Sequence, residues 1–186
     1  MQLANTQRRY GGAAILLHWL MAVLITALVG LGIYMVALPD VGFDEKKVML
    51  ILVHKEIGVV VMAIAVVRLA WRQVNPLPRL ETTTPEWQQV AAIFVHLSFY
   101  TLMLAQPIIG WLMSSAAGIP VDFVGLFTLP DLVHHNEDLF AQLRRLHDWL
   151  GYAVALLILL HAGAALRHHF ILRDETLRKM LGTSQS

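Results

Sequence analysis

The stretch LHDWLGYAVALLILLHAGAALRHHF, from Leu146 to Phe170, decides how the rest of the chain is read. It is long enough to cross the hydrocarbon of a bilayer, which takes about 20 mainly apolar residues. Yet it carries His147 and His161, and hydrocarbon offers an imidazole no hydrogen-bond partner, so polar residues in such a span usually have a task. The two histidines are 14 residues apart, which is about 21 Å along a helix axis and within about 40° of one face. One helix would therefore present two imidazoles on one side, near opposite surfaces of the membrane.

Three further runs, Ala13–Leu38, Val48–Trp71 and Val90–Met113, are long and apolar enough to span. The second opens on the polar group His54, Lys55 and Glu56, where long side chains can reach the interface. Hydrophobic residues make up 57% of the 186 and charged residues 15%. Soluble chains carry roughly a quarter charged residues, so lipid is the expected solvent. The expected fold is all-α: a four-helix transmembrane bundle with a long third loop, one domain over residues 1–186. Pro39 and Asp40 end the first span, and Asn75-Pro76-Leu77-Pro78 ends the second, because proline has no amide to donate along a helix and disfavours helix just before it. The loop from Ser114 to about Arg145 holds Gly118, Pro120, Gly125 and Pro130 and should pack over one end of the bundle. Arg8 and Arg9 before an apolar run resemble a signal peptide, but the run exceeds the roughly 7–15 residues of a signal core and no A-x-A site closes it. An uncleaved first span is expected.

Four spans put both termini and the middle loop on one side. That side carries Arg8, Arg9, Arg68, Arg72, Arg79, Arg167, Arg173, Arg178 and Lys179; the other carries Lys46, Lys47, Lys55, Arg144 and Arg145. The larger cationic set belongs on the cytoplasmic side, so both termini are expected in the cytoplasm of a bacterial inner membrane. The net charge of +1 points to no particular partner, and no nucleic acid is expected among them. There is no cysteine, which excludes disulfides, thiolate metal sites, iron–sulfur clusters and the covalent attachment of c-type haem.

Histidine is left as the supply of metal ligands. With the termini on one side, His18 of the first span shares its depth with His161, and His54 of the second shares its depth with His147. Paired imidazoles at each of two levels are what two bis-histidine haems require. Small residues lie beside these histidines, namely Gly58, Gly151 and Ala162-Gly163-Ala164-Ala165, although small residues also serve ordinary helix packing in membranes. Neutral imidazole suits iron, and filling both axial positions favours electron transfer over oxygen binding. Zinc is the rival, but its transport and protease sites usually include carboxylates, and no H-E-x-x-H motif is present. The ring nitrogen that is not on iron needs an acceptor, which the sequence does not name.

Several motifs together resemble the bacterial cytochrome b561 family, in particular its superoxide oxidase members. They run from Tyr10 to about Lys179: Ile15-Leu16-Leu17-His18-Trp19-Leu20; His54-x3-Gly58 with Arg68, Arg72 and Pro76-x-Pro78; Pro107-x2-Gly110; Gly118-x-Pro120 with Phe123-x-Gly125-Leu126; His147-x3-Gly151-Tyr152; and His161-Ala162-x5-His168-His169. Each is weak alone, and the ordered set is specific. The resemblance implies two haem b groups, held by His18 and His161 on the cytoplasmic side and by His54 and His147 on the periplasmic side. It further implies that superoxide gives an electron to the outer haem and that ubiquinone, within the membrane lipid, accepts it. His96 matches a family position that is not a ligand, and a packing or hydrogen-bonding role is expected for it.

Arg144 and Arg145 near His147, with Lys46, Lys47 and Lys55 flanking His54, are candidates for steering superoxide; as plain membrane-flanking cations they would need no such role. His168 lies seven residues past His161, about 10.5 Å nearer the cytoplasm. With Arg72 it is a candidate for a quinone carbonyl or the haem propionates, or else an interfacial anchor. Arg68, deeper in its span, fits a propionate or a snorkelling role. Two other functions fit the same spans: an electron-transfer subunit of a larger quinone-linked dehydrogenase, which would need that partner, and a haem-free transporter or structural membrane protein.

Overall fold

The computed structural model describes residues 2–7, 9–39, 44–78, 85–123 and 125–183. Arg8, Asp40 and Arg79, which entered the charge and helix-stop arguments, lie outside them. Four long helices, α1 (Gly12–Ala37), α2 (Glu45–Val74), α3 (Glu86–Ala116) and α4 (Glu137–Arg167), account for most of the chain. The last continues through a π-helical turn at His168–Leu172, and a short α5 (Thr176–Leu181) follows. All four long helices are long and apolar enough to cross a membrane. The protein is an all-α, multi-pass membrane protein.

Helices α2 and α4 start where a side chain provides for their free amides. Asp44 accepts from the Lys46 and Lys47 amides at the head of α2, and Asn136 accepts from the Leu139 amide at the head of α4. Helix α1 has no such side-chain cap. The segment before it folds back instead, so that the Gly12 amide meets the Gln2 carbonyl at 2.9 Å and the Ala13 amide meets the Leu3 carbonyl at 3.3 Å. Asn5, which is buried, pins this turn: its Oδ1 accepts from the Gly11 amide at 2.8 Å and its Nδ2 donates to the Pro76 carbonyl at 3.1 Å. Gly11 has to be glycine, since a Cβ there would lie 2.1 Å from the Leu3 carbonyl oxygen.

The helices form a closed ring, with α1 on α2, α2 on α3, α3 on α4 and α4 on α1. Met21, Val61, Ala65 and Met103 are its buried centre, flanked by Leu24, Ile57, Phe99 and Tyr100. The outer surface is as apolar as the centre: Phe94 is 67% exposed and Leu159 70%. Side chains of that kind on a water-facing helix would be a liability, whereas in lipid they are solvated. The segment before α1 meets the end of α2 and α5 meets the start of α1 at one pole, where Trp19 Nε1 donates to the Met180 carbonyl at 2.9 Å. We call this the termini end.

At the opposite, loop end the segment between α3 and α4 holds a hairpin of β1 (Val121–Phe123) and β2 (Phe127–Leu129), paired Val121 to Leu129 and Phe123 to Phe127. Strand β1 packs on α2 and α3. Trp111 Nε1 donates to the Pro130 carbonyl at 3.0 Å and Lys55 Nζ to the Pro120 carbonyl at 2.5 Å, which ties the loop to two helices. Gly118 and Gly125 supply the left-handed turns, at φ +69° and +68°. The loop does lie over one end of the bundle.

Candidate cofactor-binding site

Helix α4 carries both His147 and His161, and each meets a histidine from another helix. The rings of His54 (α2) and His147 lie 6.2 Å apart, centre to centre, and those of His18 (α1) and His161 also lie 6.2 Å apart. The expected couples are therefore brought together at two levels. An imidazole nitrogen binds a first-row transition metal at about 2 Å, so two such bonds in line plus half of each ring separate the ring centres by about 6 Å. The residues fit an iron porphyrin held between each pair. Among the described residues no three His, Asp or Glu side chains converge to hold a bare metal ion.

The Nδ1 atoms of His54 and His147 are buried without a hydrogen-bond partner, and a buried polar atom left so is costly. With Nε2 on a metal, Nδ1 would carry the ring proton and need an acceptor. Small residues make room around them. A Cβ on Gly110 would come within 3.3 Å of His147 Cε1, and one on Gly32 within 3.6 Å of His54 Cε1. At the other couple His161 is crossed edge-on by His96 and Phe99 from α3, both with ring centres 5.5 Å away. His96 thus packs against a candidate ligand.

Arg68 is turned toward α1 and α3. Its Nη2 lies 3.1 Å from His18 Nδ1 and its guanidinium 5.8 Å from the centre of the Tyr100 ring, where Arg72 also sits, at 5.2 Å. A guanidinium only donates, so His18 Nδ1 accepts and the ring proton rests on Nε2. With a metal on Nε2 that proton moves to Nδ1, and this contact has to be given up. Arg68 would then need another acceptor.

At the termini end His168 opens the π turn and its Nδ1 donates to Asp174 Oδ2. The other carboxylate oxygen of Asp174 accepts from the Thr176 amide at 2.9 Å. Partial burial raises the pKa of Asp174, and the hydrogen bonds from His168 and Thr176 outweigh it, so the carboxyl lies below its ordinary value. Arg173 makes the turn between them in the left-handed region, at φ 54°. At the same end a cavity of about 270 Å³ is lined by Arg9, Tyr10 and Lys179. Burial raises the Tyr10 phenol, with partial opposition from the Arg72 charge.

The steering candidates divide. Arg144 and Arg145 are exposed on α4. Lys46 Nζ is bound to the Tyr34 hydroxyl at 2.9 Å, and Lys55 is committed to the loop. Two polar residues go unremarked in the sequence. Asp174 lies among charged residues with no signal of its own. Gln106 was visible in principle, as an amide inside the apolar run of α3, where polar groups are rare.

Comparison with known proteins agrees with this architecture. The family model for prokaryotic cytochrome b561 matches residues 9–183. Cytochrome b561 homolog 2 of Escherichia coli strain K12 is 37% identical over 187 residues, covering 100% of this chain and 98% of that protein. Cytochrome b561 homolog 1 of the same strain is 31% identical over 128 residues, 69% of this chain and 72% of the relative. The probable superoxide oxidase CybB of Yersinia pestis is 27% identical over 176 residues, 94% and 96% of the two chains. The match extends from the segment before α1 to the end of α5, so the chain belongs to the prokaryotic cytochrome b561 family of membrane cytochromes, whose prosthetic group is haem b.

Proposed function

We propose that this protein binds two haem b groups and catalyses the transfer of electrons from superoxide, at the loop end, to ubiquinone, at the termini end. The observation that carries the reading is the equal 6.2 Å spacing of two histidine couples built on one helix. The choice of substrates rests on the likeness to a relative whose name is probable superoxide oxidase. Haem b, when bound, supplies one-electron redox chemistry. The overall reaction takes two superoxide anions and two protons with one ubiquinone and gives two dioxygen molecules and one ubiquinol.

His54 and His147 would hold the outer haem, and His18 and His161 the inner one. Exposed Arg144 and Arg145, close to His147 in sequence, raise the local concentration of a small anion at the loop end. At the other end Asp174 holds His168 by Nδ1, which leaves Nε2 as the ring atom that can take up a proton and pass it to a quinone oxygen. Arg72, stacked on Tyr100, is available to the quinone carbonyl or a propionate. The bias of cations toward the termini end favours a cytoplasmic position for it, and the protons of ubiquinol would then come from there.

The experiment is an assay of the purified protein with a superoxide generator and a short-chain ubiquinone. Reduced b-type absorbance bands followed by ubiquinol formation, both abolished by superoxide dismutase, are the expected result. Haem reduction without ubiquinol, or none by superoxide, would refute the assignment of substrates.

A further inference from the structure

Two orphaned polar atoms, one on α3 and one on α4, belong to neighbouring residues, Gln106 and His147. Gln106 Nε2 donates to the backbone carbonyl of His147 at 2.8 Å. Because a carbonyl only accepts, this bond fixes which end of the amide faces α4. The other end, Gln106 Oε1, is buried with no partner, and so is His147 Nδ1. One orphan is an acceptor and the other is the nitrogen that carries the proton when Nε2 binds a metal. They belong to two residues already bonded to each other. Gly110, one turn along α3 from Gln106, leaves room for the His147 ring, and a Cβ on Gly151 would touch Gln106 Nε2 at 3.6 Å.

We infer that Gln106 is the positioning residue of the outer haem ligand: its amide nitrogen clamps α4 at His147, and its oxygen accepts the His147 Nδ1 proton. An acceptor on the far nitrogen makes an imidazole a more basic ligand and fixes its orientation. It favours the ferric state and lowers the potential of the haem bound there. Gln106 acts through the His147 ligand, so its effect is on one midpoint potential. The inference rests on the proposal that His54 and His147 hold a haem.

The test is potentiometric titration of the haem bands in purified wild type, Q106L and Q106E. In Q106L the acceptor is gone, and one of two midpoints should move upward while the other stays. In Q106E an acceptor remains whether the carboxyl is ionised or protonated, so the same midpoint should fall or stay and not rise. If Q106L does not accumulate, Q106M, closer in shape to glutamine, takes its place. Two unmoved midpoints in the apolar variant, or an equal rise in both variants, would overturn the inference while leaving the haem reading intact. A wild type with no haem at the outer couple would instead defeat the reading on which it rests.

Discussion

At the scale of single residues, the chemistry turns on how imidazoles are held. His168 illustrates this at the termini end, where its partner Asp174 takes hydrogen bonds from both the ring and the Thr176 amide. The carboxyl is held below its ordinary value of 3.8. A depressed carboxyl stabilises the folded state fully above its unfolded pKa and loses that contribution as pH falls through the folded one. Docking of α5 should therefore weaken as pH falls below about 4, and Asp174→Asn should remove that dependence; hydrogen exchange of the α5 amides across pH measures it. Gly110 offers a second check. A Cβ there already lies 3.3 Å from His147 Cε1, so Gly110→Val should push the ring aside. Pyridine haemochrome analysis should find about half of the wild-type haem, whereas full occupancy would show that the ring has room to spare.

At the scale of elements, α4 does most of the organising. It supplies one member of each histidine couple and then changes to a π turn at His168. π turns inside helices are frequently found at functional sites, and here the change of pitch presents His168 to Asp174. The start of α4 is fixed by Asn136, whose side chain caps Leu139 and whose amide reaches the Ala116 carbonyl at 2.9 Å. Asn136→Ala keeps the second bond and loses the first, at a cost of about 1 kcal/mol. Thermal unfolding followed by loss of haem absorbance should report a lower midpoint with the spectrum unchanged below it. An altered spectrum at low temperature would mean that the cap also sets the position of His147.

At the scale of the molecule, the fold was legible because lipid imposes a simple rule: long apolar runs become helices that cross. The four spans follow from the length of the apolar runs, and the depth match of His18 with His161 and His54 with His147 follows from helical rise once both termini share a side. The hairpin at Val121–Phe123 and Phe127–Leu129 was not legible, since three-residue strands are too short to carry an alternating pattern. Nor was the contact of Arg68 with His18, 50 residues away in sequence, because periodicity gives faces and not partners. The π turn and the Asp174 pair were hidden for the same reason. Charge acts at this scale too. If the loop end collects superoxide, Arg144→Ala with Arg145→Ala should slow haem reduction in stopped flow severalfold at low salt, with a smaller difference at high salt. Unchanged rates at all ionic strengths would make these arginines simple flanking cations.

The most direct measurement is haem stoichiometry in the purified protein and in His18→Ala, His54→Ala, His147→Ala and His161→Ala. Two haems per chain in the wild type and about one in each variant, with the same band lost on truncating either member of a couple, is the predicted result. A wild type without haem, or a variant that keeps both, would contradict the pairing of imidazoles at two levels of the bilayer.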